Sequence, residues 1–275
     1  MRMAVVGHVE WIEFARVPHV PKAGDIVHAA ETWAAPGGGG GVAVVQLRKL
    51  AREARLYTAL GDDELGHAAD RELNGEGVQV ETTYRPVAQR RCFVYIDDDG
   101  ERTITTIGER LGPGGADPLE WTWFDGADAV YFTAGDERAL RGARAARVLV
   151  ATSRVMDELE HAGVTLDAVV GSGKDDAERY RPIEPRPGLV VSTEGSEGGT
   201  FETADGHRRR FEPAPLPAPR VDAYGAGDSF AAGLTFALGT GMGPREAVEF
   251  AARCGAAAMT GRGPFGGQLT AADVG

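Results

Sequence analysis

Short apolar runs alternate with helical patterns along most of this 275-residue chain, and this alternation is the strongest constraint on its fold. Strands that are apolar throughout are typical of parallel sheets, because helices cover both faces of such sheets. The alternation therefore predicts an α/β fold with a mostly parallel central sheet covered by helices on both faces. No domain boundary is evident, so we expect one domain over residues 1–275. The predicted strands of the sheet are 3–7, 55–61, 78–84, 129–133, 148–152, 168–171 and 189–193.

Two segments interrupt the alternation, and both have the character of strand pairs outside the main sheet. Residues 8–35 contain a short alternating run at 26–33, and residues 84–108 contain two β-rich runs around the sequence Asp-Asp-Asp-Gly at 97–100. Asp-Gly between two such runs is typical of a hairpin turn, and the spacing of a calcium loop is absent. We expect these segments to form a small β lid that closes over a site.

The composition excludes several classes of protein. With 41 acidic and 29 basic residues, the chain has a net charge of −12, which disfavours nucleic acids and anionic membranes as partners. The two cysteines, Cys92 and Cys254, provide neither a disulfide framework nor a metal knuckle. We find no signal peptide and no run of about 18 apolar residues, so we expect a cytoplasmic protein.

Residues 221–234 combine a glycine turn, an acid and the start of a helix. Gly225 and Gly227 precede Asp228, and an apolar helical pattern follows at once. Backbone N–H groups at a helix start are unpaired and favour an anion close to them. An acid in the same turn makes sense if it accepts a proton while the N–H groups hold negative charge, as phosphoryl transfer to a hydroxyl requires. The alternative is an ordinary helix cap.

Five consecutive glycines, residues 37–41, run directly into a predicted amphipathic helix. Repeated glycine indicates that the backbone passes very close to another group. We therefore predict a loop that faces a ligand. A flexible linker is the alternative, which the adjoining amphipathic helix disfavours.

Two further loops follow predicted strands and therefore lie at the carboxyl edge of the sheet, where ligands bind. The loop at 193–198 could hold phosphate or ribose through Thr193 and its backbone, or it could be an ordinary strand-to-hairpin turn. Ser172 and Asp175 could orient a hydrated Mg²⁺, or they could cap the helix predicted over 175–181.

The stretch 222–230 reads Asp-Ala-Tyr-Gly-Ala-Gly-Asp-Ser-Phe. It resembles the C-terminal signature of the ribokinase-like, or PfkB, carbohydrate kinase family, whose usual form is Asp-Thr-x-Gly-Ala-Gly-Asp-x-Phe. The glycines at 37–41 resemble the family's N-terminal signature, 193–198 its Thr-x-Gly-x-x-Gly motif, and 167–175 its Asp-to-Asn-x-x-Glu segment. The resemblance implies a ribokinase-like fold and an ATP-dependent kinase that phosphorylates a hydroxyl of a sugar or sugar-like small molecule.

The same resemblance assigns roles at the phosphoryl-transfer end. It implies that Asp228 deprotonates the acceptor hydroxyl. The N–H groups of Gly225, Ala226 and Gly227 would form the anion hole for the transferred group. The implied nucleotide-binding residues are Thr193, Gly195 and Gly198.

At the acceptor end, either Glu10 or Glu13 would replace the family's sugar-binding aspartate. The implied cofactors are ATP and Mg²⁺, and Asp175 and Ser172 would lie near the magnesium. Some members also have a monovalent-cation site, where Asp222 would lie, so a K⁺ requirement is left open. The implied substrate-binding glycines are Gly38, Gly39 and Gly40.

The chain departs from the family pattern mainly at the acceptor end. Val42 stands where the family has a sugar-holding asparagine, Gly39 where it often has lysine, and Ala223 where it has threonine. The acceptor therefore stays open between a sugar and a nucleoside or heterocyclic alcohol, and a protein that binds a ligand or partner without turnover is the alternative. Because the family's lid often makes a dimer contact, the resemblance also implies a homodimer through the lid.

Overall fold

The computed structural model describes residues 1–274, and no helix in that range is both long and apolar enough to cross a membrane. Its strands are β1 (Arg2–Val6), β2 (Glu10–Arg16), β3 (Glu31–Gly37), β4 (Glu53–Gly61), β5 (Gln79–Arg85), β6 (Arg91–Ile96), β7 (Arg102–Ile107), β8 (Ala129–Phe132), β9 (Val148–Thr152), β10 (Ala168–Ser172), β11 (Leu189–Thr193), β12 (Gly199–Thr203) and β13 (Arg208–Phe211). Its α-helices are α1 (Gly38–Leu50), α2 (Glu64–Gly75), α3 (Glu137–Ala143), α4 (Met156–Ala162), α5 (Ala226–Thr240) and α6 (Pro244–Ala258).

Nine strands form the central sheet in the order β13-β12-β11-β10-β9-β8-β1-β4-β5. All neighbours from β11 to β5 pair in parallel, and β12 and β13 extend one edge as an antiparallel hairpin. The inner strands are apolar throughout because both faces are buried: in β1, Met3 and Val5 join one core cluster, while Ala4 and Val6 join the other. The predicted α/β fold with a mostly parallel sheet is confirmed.

Helices α1, α2, α5 and α6 contribute to the core on one face of the sheet, and α3 and α4 to the core on the other. The small residues of α6 allow it to pack closely on α5. A Cβ built at Gly233 would lie 2.7 Å from the Cys254 sulfur, and one built at Gly255 would lie 3.1 Å from the carbonyl oxygen of Ala226. This packing brings α6 against the first turn of α5.

The remaining four strands form a second sheet in the order β3-β2-β6-β7. These strands come from the two segments that the sequence assigns to a lid. The turn between β6 and β7 contacts the approach to α5, because Ala223 N donates to Gly100 O at 3.1 Å. The second sheet thus lies beside the N-terminal ends of α1 and α5, and its motion as a lid remains a prediction. Its inner face packs as one cluster, whose buried members are Ile12, Phe14, Val42, Cys92, Val94, Ile96 and Tyr224.

Three local expectations need correction. Residues 38–41 do not form a loop but the first turn of α1. The glycines are required there because the backbone touches the end of β1, where a Cβ at Gly40 would lie 2.7 Å from the His8 carbonyl oxygen. The strand predicted at 26–33 begins only at Glu31, and the helix predicted over 175–181 is a single 3₁₀ turn, Asp176–Glu178.

Candidate active site

The first turn of α5 presents unpaired backbone N–H groups together with a carboxylate. Gly225, in the left-handed region at φ +76°, precedes the helix, and no side chain caps this end. The first hydrogen bond of the helix runs from Ser229 N to Gly225 O at 2.8 Å, so the earlier N–H groups have no partner within the helix. Within residues 1–274, the Asp228 carboxylate forms neither a salt bridge nor a side-chain hydrogen bond, which disfavours the interpretation of this turn as an ordinary cap.

Gly225 also allows α5 to approach α1. A Cβ built at Gly225 would lie 2.9 Å from a methyl carbon of Val42, and its positive φ would be strained in any other residue. Val42, which replaces the family's asparagine, is completely buried. The Val42 side chain therefore packs the two helices against each other, and it offers no polar atom that could hold a sugar hydroxyl.

The first turn of α1 faces Asp228 across a small space. A Cβ built at Gly39 would lie 3.3 Å from Asp228 Oδ1, 3.3 Å from His8 Cε1 and 2.7 Å from Thr133 Oγ1. Gly39 therefore keeps open the space next to the carboxylate. Four chain segments that are remote in sequence meet here: the ends of β1 and β8 and the starts of α1 and α5.

Burial raises the pKa of Asp228 to about 6, and the negative charge of Glu178 adds to this effect. A carboxyl group in this range is ionised at neutral pH and is nevertheless a stronger base than an ordinary aspartate. The electrostatics thus suit a group that accepts a proton from an alcohol.

His8 is a site residue that the sequence does not reveal by any motif, although it directly follows the first buried strand. Its side chain is buried, and Gly39 N donates to its Nε2 at 3.5 Å. Burial lowers the pKa of His8 to about 3, so the ring is neutral at physiological pH. Its buried Nδ1 has no hydrogen-bond partner in residues 1–274, which leaves a polar atom beside the glycine turn for a ligand or water.

The two glutamates proposed for the acceptor site lie on opposite faces of β2. Glu10 is buried, accepts from Arg90 Nε at 2.5 Å and from Cys92 Sγ at 3.0 Å, and places its Cγ 3.1 Å from a Cβ built at Gly38. Burial alone would raise the pKa of Glu10, but His8, the Cys92 thiol and the Arg90 guanidinium together outweigh it, so the pKa is lowered. Glu13 is exposed and pairs with Arg91 at 3.6 Å, so of the two only Glu10 faces the glycine turn.

The loop after β11 has the geometry of a glycine turn that exposes its backbone. Gly195 and Gly198 have φ values of +63° and +75°, and Glu194 N closes the turn on Gly198 O at 2.7 Å. Thr193 Oγ1 donates to Gly171 O at 3.3 Å. A groove of about 550 Å³ adjoins this loop between the β12–β13 hairpin, the segment after it and α6. Its apolar lining includes Phe201, Phe211, Met242 and Phe250.

The predicted magnesium residues are already engaged with protein groups. Asp175 binds Arg154 at 3.1 Å, and Ser172 Oγ accepts from Lys174 N at 3.2 Å. Glu178 accepts from Ser172 N at 2.9 Å, pairs with Arg154 and acts on Asp228. The sequence could have indicated this residue, because Asp175-x-x-Glu178 has the spacing of the family's Asn-x-x-Glu segment. No group of three potential metal ligands occurs in residues 1–274. The carboxylates of Asp175 and Glu178 therefore fit a Mg²⁺ ion that is held through water and by substrate phosphates, which is how proteins usually bind this ion.

Asp222 has a structural role that requires no cation. Its two carboxylate oxygens accept from Tyr224 N at 2.7 Å and from Gly263 N at 3.0 Å. These bonds join the turn before α5 to the segment after α6. Burial raises the pKa of Asp222 despite both hydrogen bonds. The hydrogen bonds explain why an acid stands here even without K⁺.

A helix start with unpaired N–H groups, a free carboxylate and an open space beside it suit group transfer to a small molecule. Comparison with known proteins agrees. A family model described as pfkB family carbohydrate kinase matches residues 2–167 and 157–268, and the chain belongs to this family. It is therefore a phosphotransferase whose acceptor is a hydroxyl group.

Two curated relatives and one solved structure illustrate the similarity. The chain is 28% identical to an ATP-dependent ribose-1-phosphate kinase of Halopiger xanaduensis, over 93% of this chain and 91% of the relative. It is 27% identical to an aminoimidazole riboside kinase of Salmonella typhimurium, over 85% and 86%. Arabidopsis thaliana ribokinase, solved with ribose and ATP, shares the fold with a TM-score of 0.77 at 18% identity, over 99% of this chain and 97% of that one. The ribokinase-like fold is thus confirmed.

Proposed function

We propose that this protein transfers the γ-phosphoryl group of ATP to a hydroxyl of a sugar-like small molecule, with Asp228 as the base. The observation that carries the proposal is the unpaired Asp228 carboxylate, which stands in the anion-binding first turn of α5 and faces the space that Gly39 keeps open. A protein that only binds a ligand has no use for a base beside an anion hole.

The chemistry follows from that arrangement. An acceptor hydroxyl that enters the space beside Gly39 would donate its proton to Asp228 as its oxygen attacks the γ-phosphorus of ATP. The bond from that phosphorus to the β–γ bridging oxygen would break, and ADP would leave. The N–H groups of Gly225, Ala226 and Gly227 would hold the negative charge on the transferred phosphoryl oxygens. The dipole of α5 acts in the same direction, since its positive end points at the same place.

The nucleotide would bind on the other side of α5. We infer that the turn at 193–198 holds phosphate or ribose through Thr193 and the N–H groups near Gly195 and Gly198. The groove beside Phe211 would then take the base of the nucleotide, because it has aromatic side chains in its lining and adjoins both this turn and α6. Mg²⁺ would neutralise charge on the phosphates, with Glu178 and Asp175 orienting its water ligands.

We infer a ribosyl-type acceptor, and the support for it is that the names of two relatives refer to ribose 1-phosphate and aminoimidazole riboside. Glu10, Gly38 and the free Nδ1 of His8 would contact its hydroxyl groups. A nucleoside-like acceptor is the second candidate, because one relative acts on a riboside.

A K⁺ requirement rests on Asp222 alone, and replacing K⁺ with Na⁺ in the assay tests it.

We also propose that the second sheet acts as a lid and joins two copies of the chain. All six residues of β7 are exposed, and this strand forms one edge of the sheet with unpaired backbone groups. Ile104 and Ile107 are 40% and 45% exposed there. Pairing with a second copy would cover both the apolar side chains and the open edge.

The decisive test of the kinase proposal is Asp228→Asn with Asp125→Asn as an exposed control. Sugars, sugar phosphates and nucleosides are assayed for ATP-dependent product, and nucleotide binding is measured by calorimetry. We expect Asp228→Asn to lose about 10³-fold or more in turnover while it still binds nucleotide. If that variant keeps wild-type turnover, Asp228 is not the base. A wild-type protein that shows no turnover and no nucleotide binding contradicts the kinase proposal.

A further inference from the structure

Cys92 is a buried thiol to which the proposed phosphoryl transfer assigns no role, and its partner is the carboxylate of Glu10. Its Sγ donates to Glu10 Oε2 at 3.0 Å. The side chain is 1% exposed and belongs to the inner cluster of the second sheet, together with Ile12 and Val94. A small apolar residue would satisfy the packing of this cluster, whereas the thiol also supplies a hydrogen-bond donor.

The register of the second sheet brings two donors to the same carboxylate. β2 and β6 are parallel neighbours with Ile12 opposite Cys92, so Glu10 lies beside Arg90, which directly precedes β6. Alternate residues of a strand point to one face, and Arg90 and Cys92 are two positions apart. Arg90 Nε donates to Glu10 Oε1 at 2.5 Å, while Cys92 donates to Oε2. Each oxygen therefore has its own donor, and rotation of the carboxylate would break one of these hydrogen bonds.

The Glu10 carboxylate lies at the edge of the space proposed for the acceptor. Its Oε1 is 3.8 Å from His8 Nε2. The adjoining ring atom, His8 Cε1, would lie 3.3 Å from a Cβ built at Gly39, and Asp228 Oδ1 would lie at the same distance from that Cβ. The buried Nδ1 of the same ring has no hydrogen-bond partner in the described residues. Hydrogen-bonding capacity therefore remains beside Glu10 for a ligand.

Both partners keep the protonation state that this arrangement needs. Burial raises the pKa of the Cys92 thiol, and the negative charge of Glu10 raises it further, so the thiol keeps its proton. Although burial acts to raise it, the pKa of Glu10 is lowered by His8, Cys92 and Arg90, so the carboxylate stays ionised. An ionised carboxylate has about four lone-pair sites and donates no hydrogen bond. After binding Arg90 and Cys92, it can still accept hydrogen bonds from hydroxyl groups.

We propose that Cys92 is a positioning residue for the acceptor: together with Arg90, its thiol fixes the Glu10 carboxylate so that the remaining lone pairs accept hydrogen bonds from acceptor hydroxyl groups. The inference rests on the proposed kinase function, in which Glu10 contacts the acceptor. Cys92 acts through Glu10 and takes no part in the transfer at Asp228. Without the thiol, the carboxylate must be ordered when the acceptor binds, which weakens binding and leaves the transfer step unchanged.

The first test compares Cys92→Ala and Cys92→Ser with Cys254→Ala. Cys254 is a matched control, because it is also buried but forms no side-chain hydrogen bond within residues 1–274. ATP-dependent product is measured with D-ribose, ribose 1-phosphate and inosine. For the compound that the wild type phosphorylates, Cys92→Ala should raise KM about 10-fold and change kcat less than about twofold. Cys92→Ser keeps a donor and should restore most of the affinity, and Cys254→Ala should leave KM unchanged.

A double-mutant cycle shows whether Cys92 acts through Glu10. In a Glu10→Ala background, Cys92→Ala should raise KM less than about twofold, because the group that the thiol orients is gone. Equal effects of Cys92→Ala in both backgrounds overturn the positioning role and leave Cys92 as a packing residue. An unchanged KM in Cys92→Ala alone overturns it as well. Either result leaves the kinase intact.

A third readout needs no turnover. In Cys254→Ala the only thiol is Cys92, so its S–H stretching band can be recorded alone by infrared spectroscopy. This band should lie at lower wavenumber than the Cys254 band, recorded in Cys92→Ala, because donation to a carboxylate weakens the S–H bond. A bound ribosyl compound should shift the Cys92 band upward, since its hydroxyl groups compete for the lone pairs of Glu10.

The outcomes separate the positioning role of Cys92 from the kinase. A ribosyl compound that shifts the band but yields no ATP-dependent product supports the positioning role and contradicts the kinase. Product formation without a band shift overturns the positioning role and leaves the kinase intact. A Cys92 band at the position of the Cys254 band shows that the thiol does not donate to Glu10, and it also overturns the role. If none of the three compounds gives a product or a shift, both proposals fail.

Discussion

Gly39 and Asp228 face each other so closely that a single methyl group at Gly39 would lie 3.3 Å from the Asp228 carboxylate oxygen and 2.7 Å from Thr133 Oγ1. The two residues belong to the first turns of α1 and α5, and the proposed reaction places the acceptor hydroxyl in the space beside them. The absence of a side chain at Gly39 is thus as necessary to the proposed site as the carboxylate itself.

Gly39→Ala should lower kcat/KM by about 100-fold, because the added methyl group displaces Thr133 or the acceptor. Nucleotide affinity, measured by calorimetry, should stay unchanged. Gly142→Ala in α3 is the control, since a Cβ there meets nothing within 4 Å. It should keep full activity and gain about 0.5–1 kcal/mol in the free energy of unfolding. Full activity of Gly39→Ala would show that the acceptor binds elsewhere.

The activity should depend on the ionisation of Asp228. Because burial raises the pKa of Asp228 to about 6, kcat/KM should fall below about pH 6, approaching tenfold per pH unit. The pH profile of the free enzyme measures this directly. An acid limb near pH 4, where an ordinary aspartate titrates, would mean that Asp228 is not the base.

Asp228→Asn should make the protein more stable at neutral pH. The folded-state pKa of Asp228, about 6, lies above the value of an unfolded chain, so stability from this group is present at low pH and is lost as pH rises through about 6. The variant escapes this loss and should gain on the order of 1–3 kcal/mol at pH 8. Urea unfolding of both proteins at pH 4 and pH 8 tests the sign: the difference should vanish at pH 4.

Glu178→Gln should move the acid limb of the pH profile to lower pH. After burial, the charge of Glu178 is the largest influence that raises the pKa of Asp228, and glutamine removes it. The variant should also need more Mg²⁺ for half-maximal activity, because a carboxylate that orients its waters is lost. Asp176→Asn, whose side chain is 91% exposed, is the control and should change neither value. An unchanged acid limb in Glu178→Gln would show that the charge of Glu178 does not influence the pKa of Asp228.

Ile107→Lys should convert a dimer into a monomer if the second sheet joins two copies. A charge on the exposed edge strand β7 opposes pairing with another chain. Sedimentation velocity measures the change, with Leu216→Lys, exposed but outside this sheet, as the control. A wild-type protein that stays monomeric at high concentration contradicts the proposed dimer.

The helix start at Gly225 and the parallel sheet could be predicted from the sequence because their signals are local. The glycine turn, the following acid and the apolar helical pattern lie within a few residues. Apolar strands that alternate with helices are typical of a parallel sheet covered on both faces. The glycines at 37–41 were harder to place, since a run of glycine gives no sign of whether it will be helical. Only the tertiary structure shows their contact with Gly7 and His8, which leaves no room for a Cβ.

Which charged groups share the site was decided by tertiary structure alone. The sequence left Glu10 and Glu13 equivalent, and the pleat of β2 buries the first and exposes the second. The sequence assigned Asp175 to the magnesium site. In the fold, the short 3₁₀ turn brings Glu178 close enough for its charge to act on Asp228. Charges act through space over distances that the chain order does not encode, so only the fold could show which of them meet at Asp228.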